Sequence, residues 1–244
     1  MQALNDHIAK DGFRLRGTAM SRLEGFSDVV FGFALTLIVV SLEVPRTYDE
    51  LHAVLLGFVP FFICFIFLIM VWWSHFRFFR RYGLHDPVTI LINCALLFTL
   101  LFYVYPLKFL FTVATGHVDG PVFTNVLQLR ELMIVYGAGF AAIYFCLSAL
   151  YFNAWRLRAQ LHLNLLETTL TLTCAWDEFG VACVGLLCCL IARIIPPQYA
   201  GNAGWVFFTI GIWKTVHGYI AGSHVRRARA RTSPADLKSL PRAI

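Results

Sequence analysis

The chain alternates between long apolar stretches and short polar connections. A helix needs roughly 20 residues to cross about 30 Å of hydrocarbon at about 1.5 Å per residue. Six stretches have about that length or more, at residues 23–44, 51–74, 87–113, 130–152, 174–195 and 203–222. The pattern therefore predicts an all-α membrane protein with six transmembrane helices.

Composition supports this assignment, since 59% of the residues are hydrophobic, only 14% are charged and the mean hydropathy is +0.69. A soluble domain is much less apolar and carries more charge. The connections between the apolar stretches are short and contain no recognisable extramembrane domain. We expect one membrane domain at residues 22–224, an amino-terminal tail at 1–21 and a carboxyl-terminal tail at 225–244.

Basic residues are concentrated in both tails and in the second and fourth connections, whereas the alternate connections hold few. The positive-inside rule therefore predicts that both termini are cytoplasmic. The tail at 225–244 is rich in arginine and is expected to be disordered and to touch anionic lipid rather than nucleic acid. The basic residues of the four segments are Lys10, Arg14, Arg16 and Arg22; Arg77, Arg80 and Arg81; Arg156 and Arg158; and Arg226, Arg227, Arg229, Arg231, Lys238 and Arg242.

Enzyme chemistry finds little support in the chain. The seven cysteines all lie in apolar stretches, with no Cys-x2-Cys pair and no histidine at metal-ligand spacing. The eight histidines are scattered, and no hydrolase or nucleotide-binding motif occurs. Asp177 and Glu178 are the best remaining candidates for functional carboxylates, although favourable placement at the start of a helix is the better explanation for them. We expect no cofactor, no bound metal and no enzymatic activity.

A charged and hydroxylated cluster, Arg22, Ser27 and Asp28, stands at the start of the first apolar stretch. Ionisable groups at the edge of the hydrocarbon are costly and often mark ion or substrate paths. The alternative is an interfacial helix cap with a snorkelling arginine.

Arg22-x3-Phe26-Ser27-Asp28 followed by Val-Phe-x2-Ala-x-Thr-Leu resembles the signature of the lysosomal and bacterial potassium-channel family of the transmembrane-protein-175 type. Trp72-Trp73-Ser-His75, and Asn93 followed by Leu97 and Pro106, are similar to that family's second and third helices. The resemblance is good to about the middle of the third apolar stretch. Beyond it, only the number of hydrophobic segments agrees.

The resemblance implies that the first helix lines a central pore in a homotetramer, since the signature occurs once. It further implies passive conduction of potassium and other monovalent cations with modest selectivity over sodium, and it leaves room for a proton leak. No Thr-Val-Gly-Tyr-Gly filter is present, so hydrophobic constriction is the expected source of selectivity. A bacterial plasma membrane is the location that a single-copy chain implies.

One stripe of the first helix carries Phe33, Leu37, Val40 and Val44. Such a stripe is commonly lipid-facing or core-facing; in the implied tetramer, four copies would instead stack apolar rings that gate by dewetting. Phe33 stands where the family usually has an aliphatic residue. Thr36 matches a threonine of the family and would add a polar layer. We also predict that Arg22, Asp28, Trp73 and His75 form a hydrogen-bonded cluster, completed by Ser27, that holds this helix.

Two other classes of protein stay open on the residues alone. One is a secondary transporter with helix breaks at Pro60 and Pro106 around a midplane site. The other is a non-conducting membrane scaffold that assembles through glycine-rich helices such as the one with Gly137 and Gly139. Ion flux distinguishes these alternatives from a channel.

Overall fold

The computed structural model of the chain describes residues 8–9, 11–40, 47–48, 52, 55, 58–114 and 122–231. Over this part of the chain the regular elements are helices, apart from one isolated antiparallel bridge between Ile8 and Arg14. They are α1 Arg22–Val40, α2 Phe58–Tyr82, α3 Pro87–Ala114, α4 Val126–Arg156, α5 Leu165–Ile194, a 3-10 helix Pro197–Phe208, and α6 Thr209–Arg231.

Polar residues at the helix starts explain where the helices begin. Asn125 and Asn164 each form a capping box, in which the asparagine side chain accepts from the backbone of the third helical residue and that residue's side chain accepts in return. Asp86 precedes Pro87, the residue type favoured at the first helical position, and accepts from the Thr89 hydroxyl at 2.5 Å. These caps satisfy backbone N–H groups that the first turn leaves unpaired.

Asp86 also ties α3 to α4, because the Asn153 side-chain amide donates to its carboxylate at 3.3 Å. Burial raises the pKa of Asp86, but hydrogen bonds from Thr89 and Asn153 outweigh it and leave that pKa below its ordinary value. The native contacts of Asp86 therefore favour its ionised carboxylate.

The most extensive helix contact joins α4 and α5. Gly137 and Gly185 face each other there, and a Cβ added to Gly185 would lie 2.7 Å from the Gly137 carbonyl oxygen and 2.9 Å from the Ala141 amide nitrogen. The two backbones can approach this closely only without side chains at these positions, as in small-residue packing of membrane helices.

Four helices, α2 to α5, are long and apolar enough to cross a membrane; the stretch that qualifies in α3 is Pro87–Val113. These four helices are those found in the described part of the chain. Six spans were predicted from the sequence, and α1 and α6 remain predictions as spans. The sixth predicted stretch, 203–222, is divided between the 3-10 helix and α6, and α6 ends in a strongly basic turn.

Three expectations need correction. α5 begins at Leu165, so Asp177 and Glu178 lie well inside a helix and not at its start. α6 continues to Arg231, so residues 225–231 are helical and not disordered; residues 232–244 lie outside the described part. α3 runs through Pro106 without a break, and Pro60 lies in the first turn of α2, where proline is tolerated. The helix breaks suggested for a transporter are therefore not found at these two prolines.

The predicted amino-terminal tail is packed onto the helices over its described residues. Phe13 is fully buried and meets Tyr82 edge to face at 5.3 Å. Glu167 of α5 is also fully buried and accepts from Arg14 at 2.8 Å and from Arg16 at 2.9 Å. These two arginines balance a carboxylate that would otherwise be very costly to bury.

The two described ends of the chain lie on the same side of the bundle, because the Arg229 guanidinium donates to the Asp11 carbonyl oxygen at 2.6 Å. The Asp11 side chain also forms an ion pair with Arg81 at the end of α2. Much of the basic charge of the chain is thus gathered at one end.

Candidate functional site

α1 has two faces of different character. One face is buried against α2 and α3, and its residues repeat at helical spacing: Ser27, Phe31, Ala34 and Ile38. The opposite face is exposed, with Phe26 at 56%, Val29 at 57% and Phe33 at 62% of their surface accessible. Within the described part of the chain, nothing covers this row of large apolar side chains.

The exposed row differs from the stripe predicted from spacing. Phe33 belongs to the exposed row, and this row continues to Thr36, which is exposed. Leu37, which belongs to the predicted stripe, is half-buried and packs against the core. The side chain of Val40 and the whole of Val44 lie outside the described residues. In the single chain, the most exposed face of α1 therefore carries Phe33 and Thr36, and not Phe33 and Leu37. The Thr36 hydroxyl donates to the Phe33 carbonyl oxygen at 2.8 Å.

A buried chain of hydrogen bonds anchors α1 near its start. The Asn93 amide nitrogen on α3 donates to the Ser27 hydroxyl at 2.9 Å, and the Asn93 amide oxygen lies 2.8 Å from His75 Nε2 on α2. Ser27 in turn donates to the Leu23 carbonyl oxygen at 2.8 Å. Since the Asn93 oxygen can only accept, His75 carries a proton on Nε2.

All three members of this chain are buried: Ser27 and Asn93 are fully buried and His75 is 2% exposed. Hydrogen bonds between such groups are strong in a low-dielectric interior, and a member without a partner would be costly. We call Ser27, Asn93 and His75 the polar anchor. It joins α1, α2 and α3 at one level.

Asp28 makes a separate link to α2, because the Trp72 indole donates to its carboxylate at 2.9 Å. The predicted partner was Trp73, and this needs correction: successive helical residues point about 100° apart, so only one of the two indoles faces α1. Trp73 is 52% exposed and stacks with Phe76.

Arg22, also predicted to join the cluster, is exposed and forms neither a hydrogen bond nor an ion pair with the described residues. The predicted cluster is thus replaced by two links, the polar anchor and the Asp28–Trp72 bond. Sequence reasoning placed Asn93 in the third helix but gave it no role. A lone amide within an otherwise apolar run was the signal that pointed to a buried hydrogen-bonding position.

The other end of α1 is held by a lysine. Lys108 Nζ on α3 donates to the Ile38 carbonyl oxygen at 2.8 Å. A cation near the carboxyl end of a helix interacts favourably with the helix dipole. α1 is therefore fixed at both ends while its apolar outer face is free.

This arrangement defines a class: an α-helical membrane protein with one helix rigidly mounted on two others and an uncovered apolar face along it. The family model for the endosomal/lysosomal potassium channel TMEM175 matches residues 22–103, which contain α1, α2 and most of α3. A potassium channel of Marivirga tractuosa is 36% identical over 232 residues, covering 88% of this chain and 93% of that protein.

A crystal structure of a variant of the potassium channel MtTMEM175, in complex with a nanobody fusion protein, has the same fold. It superposes with a TM-score of 0.77 at 33% identity and covers 88% of this chain and 99% of that one. The chain belongs to the TMEM175 family. This confirms the resemblance stated from the signature residues. The family is one of ion channels, so the protein is not an enzyme.

The described residues contain no group of three or more histidine, cysteine, aspartate or glutamate side chains placed to hold a metal ion. The seven cysteines, all within this part of the chain, are free thiols.

Proposed function

We propose that the protein is a potassium-permeable cation channel that conducts passively through a pore lined by α1 of four identical chains. Two relatives are potassium channels by name, and the similarity to each extends over 88% of this chain. The observation that carries the proposal is the exposed apolar face of α1. A helix anchored at both ends holds that face in one orientation.

Four copies arranged around an axis would turn this face inward and stack Phe26, Val29 and Phe33 as successive apolar rings. Water leaves a sufficiently narrow apolar constriction, and ions then cannot pass. We assign the narrowest closed ring to Phe33, because its flat, wide side chain is the most exposed of the three. Val40 would extend the apolar lining beyond it, with Leu37, which packs in part against the core, at the edge of the lining.

Thr36 follows Phe33 on the open face and would add a ring of hydroxyl groups next to the seal. A hydroxyl bonded to its own helix still has lone pairs to offer a cation. This polar layer would give a modest preference for potassium over sodium without a carbonyl cage. It would also pass other monovalent cations and, when hydrated, allow some proton leak.

The polar anchor and the Asp28–Trp72 bond would hold the pore helix and not contact the ion. Arg22, which is exposed on the same row as Phe26, is then available to a neighbouring copy. We further propose a bacterial plasma membrane as the location, with the basic end of the bundle on the cytoplasmic side together with both termini.

Flux through purified protein in liposomes tests the proposal. Potassium, sodium and a bulky organic cation are compared for the natural chain, Phe33→Ala and the matched control Phe98→Ala, which removes a ring that is 74% exposed on α3. Potassium-favouring flux that rises or loses selectivity only in Phe33→Ala supports a seal at Phe33.

Three other results would count against a channel sealed at Phe33. Equal flux in all three proteins places the seal elsewhere. Silence in all three with intact tetramers favours a non-conducting scaffold. Saturable flux coupled to a second ion favours a secondary transporter.

A further inference from the structure

A cavity of about 500 Å³ lies between α2, α4, α5 and α6, away from α1. Its walls are aromatic and aliphatic, and they include Phe67, Trp73, Tyr136, Phe140, Tyr144 and Phe207. Three charged side chains also line it: Arg77, Glu178 and Lys214. A few convergent polar groups in an otherwise apolar cavity are typical of a ligand site.

Glu178 is the most unusual of these residues. It is 3% exposed, inside a membrane-spanning helix, and one of its carboxylate oxygens has no hydrogen-bond partner among the described residues. Buried carboxylates are normally paired and hydrogen-bonded, because an uncompensated buried charge is very costly. The carboxylate oxygen without a partner lines a cavity, so a donor from outside the chain can complete its hydrogen bonding.

Arg77 is the counterpart of Glu178 in this cavity. Its Nε is buried without a hydrogen-bond partner, and its Nη2 reaches only the Ser74 hydroxyl, at 3.4 Å. No ion pair joins Arg77 to another residue of the described chain. The guanidinium therefore has donors to offer an anion.

The remaining charges around the cavity balance one another. Lys214 forms an ion pair with Asp177 at 2.6 Å, and His217 lies 3.6 Å from the same carboxylate. Arg77 and Glu178 remain as two groups of opposite charge without a direct ion pair in the described part of the chain, although Lys214 and Arg77 both attract Glu178 electrostatically. An anionic ligand would leave Glu178 unpaired, and a cationic ligand would leave Arg77 unpaired. A ligand with both charges satisfies the two.

A second cavity, of about 400 Å³, lies between α3, α4 and the 3-10 helix and is lined almost entirely by apolar side chains. Tyr136 and Phe207 line both cavities. A ligand with a charged head in the first cavity could therefore extend an apolar chain past these two rings into the second. Arg77 lies in the same helix end as Arg80 and Arg81, the basic end where lipid headgroups are expected.

We propose that the cavity binds a zwitterionic phospholipid with a primary ammonium headgroup, namely phosphatidylethanolamine. Arg77 donates to the phosphate, the ammonium donates to Glu178, and one acyl chain passes Tyr136 and Phe207. A primary ammonium offers N–H donors to the unpaired carboxylate oxygen, whereas the trimethylammonium of phosphatidylcholine has none. The site is separate from the pore, so the proposal does not depend on conduction.

Native mass spectrometry of the purified oligomer tests it. The protein is delipidated and then exposed to equimolar phosphatidylethanolamine, phosphatidylcholine and phosphatidylglycerol. We expect at least tenfold preferential retention of phosphatidylethanolamine by the natural chain. Glu178→Gln and Arg77→Gln should each reduce that retention about tenfold. The matched controls Glu131→Gln and Arg193→Gln, which change exposed charges on α4 and α5, should leave it unchanged.

Several outcomes would overturn the proposal. Equal retention of the three lipids would show that the site binds only their acyl chains. A preference for phosphatidylglycerol would show that it binds the phosphate and not the ammonium group. An intact oligomer that retains no lipid would indicate that a neighbouring copy of the chain fills the cavity. Retention unchanged in both cavity variants would place the lipid elsewhere. If a variant fails to fold, the comparison of the three lipids on the natural chain still decides the headgroup.

Discussion

Asn93 is the residue whose replacement tests the polar anchor most directly. Asn93→Ala removes the contacts at 2.9 Å to Ser27 and 2.8 Å to His75. The buried His75 N–H is then left without its acceptor, at a cost of about 1–3 kcal/mol. The lost bond to Ser27 adds about 0.6 kcal/mol, typical for side-chain hydrogen bonds between membrane helices. Ser27 still donates to Leu23, so no second group is orphaned.

The expected destabilisation is therefore about 2–4 kcal/mol, the sum of these two contributions. At about 1.4 kcal/mol for each factor of ten, it lowers the folding equilibrium constant roughly 30- to 700-fold. The assay is reversible unfolding in mixed micelles with an increasing fraction of dodecyl sulfate, followed by far-ultraviolet circular dichroism. The control is Cys94→Ala, which truncates the next residue along α3, an exposed one.

A double-mutant cycle with His75→Ala separates the interaction from the loss of side-chain volume. Because alternative partners exist in the unfolded state, the coupling energy should be about 0.6 kcal/mol and at most about 1.7. A free energy of unfolding for Asn93→Ala within about 0.5 kcal/mol of that for Cys94→Ala, the usual range of surface substitutions, would show that the polar anchor does not stabilise the fold. A coupling energy indistinguishable from zero would show that Asn93 stabilises the fold through packing alone and not through its hydrogen bond to His75.

Three further changes act on other parts of the molecule. Glu167→Gln leaves two arginines without their buried counter-charge and should destabilise by about 3–5 kcal/mol, seen as faster trypsin cleavage after Arg14 and Arg16. Gly185→Ala overpacks the α4–α5 contact and should lower unfolding free energy by about 1–3 kcal/mol in the same micelle assay. Asp86→Asn should destabilise at neutral pH. Because the folded-state pKa of Asp86 is lowered, its stabilisation is present above the ordinary pKa and lost as pH falls through the folded one.

Matched controls exist for each change. Glu131→Gln alters an exposed carboxylate, and unchanged trypsin cleavage in Glu167→Gln would show that the segment is held by other contacts. Gly211→Ala adds a methyl group where nothing lies within 4 Å and should be neutral or slightly stabilising; equal effects at the two glycines would contradict close packing. For Asp86→Asn, a stability difference from the natural chain that stays constant between pH 7 and 3 would show that the carboxylate charge is not involved.

The hydrophobic pattern was enough to predict the helical class and the approximate positions of α2 to α5, since burial in a membrane requires long uninterrupted apolar runs. It missed the polar ends of these helices, because α2 continues to Tyr82 and α5 begins at Leu165. The signature from Arg22 to Asp28 was likewise enough to recognise the family. These features are local: each is contained in one helix and can be read without knowing what lies beside it.

The contacts that position α1 were decided by the tertiary structure. Asp28 meets Trp72 across 44 residues and Asn93 meets Ser27 across 66, while Arg14 meets Glu167 across 153. Such pairs depend on the rotation and height of each packed helix, and a difference of one residue selected Trp72 over Trp73. Hydropathy also does not show how far along a helix a charged residue lies, so Glu178 was expected near a helix start. Capping of α5 by Asn164 places Glu178 well inside that helix. The sequence therefore predicted the four long apolar helices α2 to α5, and packing determined which polar groups of the bundle meet.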